Sequence, residues 1–129
     1  MGKKTNDPTP LRPEGGRIIN DVLVEMDLKK FIEQIKSETT WQAGDRNTIT
    51  VFKSSKMRIV LIGLKKDAEL KEHHAPGYIS VQVIQGKMRF NALPQSAELE
   101  AGQMVALQPK VPHSVQALEE TFFLLTLVL

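Results

Sequence analysis

Few side chains in this chain can take part in chemistry. It has three histidines, His73, His74 and His113, and no cysteine. An imidazole can ligate a metal, exchange hydrogen bonds or move a proton near neutral pH. The absence of cysteine excludes disulfides, thiolate catalysis and cysteine-bound zinc. Other catalytic templates fail as well. The sequence holds no nucleophile elbow and no glycine-rich phosphate loop of either common type. The carboxylates available for acid–base work, Glu69, Glu72, Glu98 and Glu100, alternate with apolar residues as solvent-facing groups do.

Composition narrows the classes further. The 129 residues, 41% of them hydrophobic, suffice for one closed core and not for two ordinary domains. Lys and Arg outnumber Asp and Glu by 17 to 15, and the surplus includes Lys3, Lys4 and Arg12 rather than a dense stripe. Phosphate tracking needs clustered cations with stacking aromatics, so nucleic acid is not an expected partner. Residues 1–20 lack an apolar signal core, and no segment offers the ~20 apolar residues that a membrane span needs. With no cysteine to protect, the expectation is a soluble cytoplasmic protein without a membrane partner.

The elements that position the histidines follow from periodicity. Pro8, Pro10, Pro13 and the pair Gly15-Gly16 keep residues 1–16 out of helix and central strand. They predict an arm that is flexible, or ordered only by packing on its own barrel or on a partner subunit. Residues 17–129 make the barrel domain. Leu28, Phe31, Ile32 and Ile35 recur at helical spacing, so a short amphipathic helix is predicted over 28–36, capped by Asp27 and covering a barrel edge or end. Strand runs follow over 48–52, 57–64, 78–85, 87–91, 98–100, 104–107, 113–118 and 121–129, with turn residues between them. Short strands at this pitch predict a closed or sandwiched antiparallel barrel. Trp41, the lone tryptophan, covers either the helix–barrel junction or a pocket mouth. The run 122–129 is apolar on both faces and needs cover beyond the barrel's own lumen, which predicts a homodimer.

Two segments carry a resemblance. In DAELKEHHAPGYISVQVIQG, the positions Asp67, His73, Ala75, Ile79 and Gly86 stand at the spacing of the first cupin motif. In GQMVALQPKVPHSVQA, the positions Gly102, Gln108, Lys110, His113 and Ala117 stand at the spacing of the second. The chain resembles the small single-domain cupins of the RmlC-like superfamily, with conserved barrels of the cupin-2 type. That resemblance implies an all-β fold, an antiparallel double-stranded β-helix or jelly-roll barrel with one short N-terminal helix. It also implies a metal site built from three histidines and a glutamate, at the positions of His73, Ala75, Ile79 and His113. Ala75 and Ile79 carry no donor atom, so two imidazoles remain. Gly86 and Gly102 are expected in positive-φ turns, and Asp67 stands where a glycine is usual and tolerates that conformation. Pro109 and Pro112 stiffen the loop before His113.

If His73 faces the lumen, strand alternation turns His74 and Glu72 away, unless a bulge intervenes. Ser80 and Ser114 are likewise offset from the lumen positions Ile79 and His113, which argues against a serine–histidine pair. Ile79, Val81 and Val83 would wall the lumen, with Met88, Phe90, Val105 and Leu107 as further core or pocket residues. The candidate ligand-binding residues are therefore His73, His113, Ile79, Val81, Phe90 and Trp41. The candidate metal ligands are His73 and His113, with His74 behind them. The leading reading is a barrel that binds an unknown small molecule and at most weakly a divalent metal. One alternative is a metal-dependent enzyme of the dioxygenase or isomerase type, using iron, manganese, nickel or zinc. The other is a dimeric interaction module with a vestigial pocket.

Overall fold

Alternation of apolar and polar residues along the strands builds two antiparallel sheets that face each other across one core. The computed structural model describes residues 4–5 and 18–129. The arm expected over 1–16 falls outside the described residues except at β1 (Lys4–Thr5), whose backbone pairs antiparallel with β2 (Ile18–Asn20). The larger sheet has five strands, in the order β3 (Arg46–Lys53), β4 (Met57–Leu64), β11 (Thr121–Val128), β6 (Tyr78–Gln85) and β9 (Met104–Leu107). The smaller has four, in the order β5 (Glu69–His73), β10 (His113–Ala117), β7 (Lys87–Ala92) and β8 (Gln95–Glu100). Inward residues of both sheets form one apolar cluster. Ile79, Val81, Val83 and Phe123 meet Met88, Phe90, Val115 and Ala117 there. This is the jelly-roll arrangement that the sequence predicts.

The outer face of the larger sheet is covered by helix. α1 (Leu28–Ser37) begins where Asp27 accepts a hydrogen bond from the Lys30 amide, and it buries Ile32 and Ile35. A second short helix, α2 (Thr39–Ala43), follows at once and buries Trp41. These side chains pack on Ile49, Val51, Leu61 and Phe122, with the Trp41 and Phe122 rings 5.5 Å apart. Gly63 makes that contact feasible: a Cβ there would lie 2.7 Å from the Phe122 ring. Buried Asn47 fastens the helices to β3 by donating to the Ile35 carbonyl (3.2 Å) and to Glu38 (2.9 Å).

Of its two predicted places Trp41 takes the helix–barrel junction, and the candidate ligand contact at this residue is not formed. Trp41 lies under α2 on the outer side of the sheet, 5% exposed, with Lys65 over its ring, and so does not reach the barrel interior. The two-sided apolarity of β11 is largely satisfied within one chain. Phe122 and Leu124 belong to the helix-covered cluster, while Phe123, Leu125 and Leu127 belong to the inner one. The pattern therefore does not by itself require a second copy. Among the described residues no helix is long and apolar enough to cross a membrane.

Turn chemistry follows the motif positions. Gly86 (φ 95°), Gly102 (φ 88°) and Asp67 (φ 72°) all take the left-handed conformation expected of them. A side chain on Gly86 would also collide with the Glu120 carbonyl. Lys110 shares the conformation at φ 66°, at a motif position where cupins carry glycine.

Candidate functional site

His113 opens β10 and His73 closes β5, and the β5–β10 register sets the two opposite each other. The ladder is irregular on this stretch: Val115 pairs with Leu70, so two steps on β10 correspond to three on β5. The extra residue is a β-bulge, and it turns His73 to the same side as Leu70, where regular alternation would have put Glu72. The two imidazoles meet with ring centroids 4.4 Å apart and planes at 59°.

Both rings are held in the same way. His73 Nδ1 lies 2.7 Å from the Lys71 carbonyl, and His113 Nδ1 lies 2.9 Å from the Val111 carbonyl. On its other side His113 stacks on Phe90, with centroids 5.6 Å apart and planes at 13°. The loop before His113 is tied to the loop after His73 by the Lys110 amide, which donates to the Ala75 carbonyl (2.8 Å).

The two rings differ in environment. His113 is buried at 3% exposure, whereas His73 is exposed at the rim. Burial pushes the His113 pKa below its ordinary value, with the neighbouring His73 and His74 acting in the same direction and the Val111 carbonyl opposing them. Burial thus favours the neutral form of His113. His74, one residue past β5, is exposed.

Ile79, Val81 and Phe90 lie in the inner apolar cluster with Ala75 against it. The structure thus brings together His73, His113 and Phe90 in ring contact, places Ile79 and Val81 in the adjoining core, and leaves Trp41 apart. Ser114 faces outward and accepts from Asn91 (3.3 Å), as its parity predicted.

A cleft of about 320 Å³ opens beside the site, between the edge strands of the two sheets. Phe90, Ala92 and Ala97 line one side, and Val105, Ala106 and Leu107 the other. Gln95 and Ser96 stand with them at its polar end. The sequence named Phe90, Val105 and Leu107 as core or pocket residues, and it missed the alanines at 92, 97 and 106 that open the space between them.

No family model matches the sequence, and no curated protein matches it. Solved structures do. A cupin superfamily protein from Desulfitobacterium hafniense is 13% identical, with a TM-score of 0.64 over 67% of this chain and 79% of its own. An RmlC-like cupin from Shewanella frigidimarina is 20% identical, with a TM-score of 0.63 over 66% and 77%. This chain has the cupin fold. A conserved protein of unknown function from Streptococcus pyogenes, 19% identical, aligns over 85% of this chain and 90% of its own at a TM-score of 0.65. At such identities the likeness speaks for the fold and not for an activity.

Against the four-ligand cupin centre, the donor set here falls short. The Ala75 side chain has no donor, and its carbonyl is engaged by Lys110. Ile79 is buried in the apolar cluster. Among the described residues no three His, Cys, Asp or Glu side chains gather as a metal-binding group. A structural or catalytic zinc site ordinarily has at least three protein ligands, and a non-haem iron triad includes a carboxylate. The residues present do not fit that centre.

Proposed function

We propose that this cupin-fold chain binds a small organic molecule at the imidazole pair and in the space beside Phe90. The observation that supports this most directly is the pairing of buried His113 with His73 at the rim. One ring gives a desolvated polar contact inside, and the other guards the entrance. The carbonyl contacts at both Nδ1 atoms fix the ring orientations before a ligand arrives, which lowers the ordering cost of binding.

The same rings favour, as a second reading, weak capture of a divalent ion such as iron, manganese, nickel or zinc. Each Nδ1 faces a carbonyl, which leaves Nε2 as the free ligating atom. Two protein ligands would make that binding weak. A homodimer and a cytoplasmic address belong to the same proposal, the first resting on exposed Tyr78, Met104 and Val128 on the outer strand faces.

The test is a broad fragment screen on untagged, chelator-treated protein, observed through the histidine side-chain NMR signals. Binding at the site is expected to move the His73 and His113 signals together. Near-stoichiometric metal in untreated protein, lost in both His73→Ala and His113→Ala, would replace this reading by the metal one. A panel that moves neither signal would leave the pocket without a ligand role.

A further inference from the structure

The outer face of the four-stranded sheet is divided in two. Between β7 and β8 its charges are paired within the chain, Arg89 with Glu98 at 2.9 Å and Lys87 with Glu100 at 3.8 Å. Between β10 and β5 they are not. Glu69, Lys71, Glu72 and Gln116 have no side-chain partner among the described residues. The face is concave where these unpartnered groups stand. A groove of about 320 Å³ runs along β5 and β10, lined by the side chains of Glu69, Lys71, Glu72, Asn91, Ser114 and Gln116. Leu70 and Val115 direct their side chains into the inner cluster and meet the groove as backbone. The bulge that turns His73 inward lies in this same stretch of β5, and its extra residue interrupts the ladder beneath the groove.

A directed chain of hydrogen bonds ends at this groove. Ser96 donates to Asn91 Oδ1 (2.7 Å), and Asn91 Nδ2 donates to Ser114 Oγ (3.3 Å). A hydroxyl that accepts still has a hydrogen to give, and among the described residues nothing takes it. The chain holds Asn91 and Ser114 in place before a ligand arrives, which lowers the ordering cost of binding. The mix of lining groups sets the class of ligand. Two carboxylates oppose an anion, Lys71 offsets their pull on a cation, and no apolar side chain is offered to a bare ring. A neutral compound that donates and accepts at several adjacent positions meets every group: the carboxylates accept, Lys71 and Ser114 donate, and Gln116 does both.

We propose that the β5–β10 groove is a binding site for neutral polyhydroxylated compounds the size of a single sugar ring. It is separate from the imidazole pair, which stands on the opposite face of the same two strands. Ser114 and Gln116 of β10 hold the ring hydroxyls from one side, and Glu69 and Glu72 of β5 accept from the other.

The test titrates glucose, galactose, mannose and inositol, each to tens of millimolar, into the full chain and follows the side-chain amide NMR signals of Asn91 and Gln116. Glucosamine, glucuronate and cyclohexanol serve as comparators that add a positive charge, add a negative charge or keep a single hydroxyl. At least one neutral polyol is expected to shift both amide signals saturably, with the two charged sugars weaker and cyclohexanol silent. Ser114→Ala is expected to weaken that compound about fivefold, the worth of one neutral hydrogen bond. Gln116→Ala, followed through Asn91, serves as the second variant should the first disturb the strand. Glu98→Gln, on the same face outside the groove, is expected to leave the affinity unchanged. The inference is overturned if no neutral polyol shifts the amides, if cyclohexanol or a charged sugar binds as tightly, or if the folded groove variants bind like the parent chain. A sugar that moves the His113 ring signal and neither amide binds inside the barrel, which also overturns it. The reading of the imidazole pocket is decided separately by its own screen.

Discussion

The two faces of the five-stranded sheet use space differently. Outside, Trp41, Phe122, Ile35 and Leu61 interlock under two helices, and a glycine at 63 leaves room for the Trp41 and Phe122 rings against the strand. Inside, Met88, Val83 and Phe123 fill the core, alanines line the β8–β9 edge, and the imidazole pair stands on β5 and β10. The difference separates two roles within one sheet. The outer face secures the fold, and the inner face leaves room at one end for something other than the chain itself.

Substitutions can test how far that division holds. The largest effect is expected on the outer face: Phe122→Ala empties a fully buried ring site and should cost about 3–5 kcal/mol in urea unfolding. A loss under about 1 kcal/mol would mean that the outer cluster is not what secures the sheet. Asn47→Ala should follow, at about 1–3 kcal/mol, because it strips the buried Ile35 carbonyl of its side-chain donor. Its effect should appear in stability and leave ligand binding at the histidines unchanged.

The next effect belongs to pH. His113 has its pKa lowered in the native state, chiefly by burial, so the unfolded chain takes up a proton that the native chain does not. The stability from this group is complete above the ordinary imidazole value of about 6.5 and is lost as the pH falls from there through the lower native value. His113→Gln should flatten that decline between pH 7.5 and 5 in denaturant titrations, and an unchanged slope would assign the decline elsewhere. The smallest stability effect is expected for exposed His73→Ala, within about 0.5 kcal/mol, yet that variant should lose the entrance half of the site. A clear drop in stability would show that the rim ring belongs to the scaffold after all.

Much of the fold was legible in the residues. The strand runs, the Asp27 cap and the left-handed turns at Asp67, Gly86 and Gly102 each have a local cause, which is why pattern reading found them. Strand β5 was harder, because Glu69–His73 carries four polar residues in five and gives no clean alternation. The second helix was hidden by Thr39 and Thr40, poor helix formers that tertiary packing of Trp41 overrides. The left-handed Lys110 has no signal in its own side chain and is visible only through motif spacing. Within the site, the motif register brought His73 and His113 together on paper. Which side His73 would face could not be read, since a bulge is a property of the pairing and not of either strand alone.

That bulge has an electrostatic consequence. With a regular ladder through β5, Glu72 instead of His73 would stand across from His113, and the cavity would hold a carboxylate beside that imidazole. One inserted residue therefore decides the sign of the chamber while leaving every wall residue where it is. Lineages that gain or lose a residue in this short strand could trade a preference for neutral guests against one for positively charged guests without altering a single wall side chain.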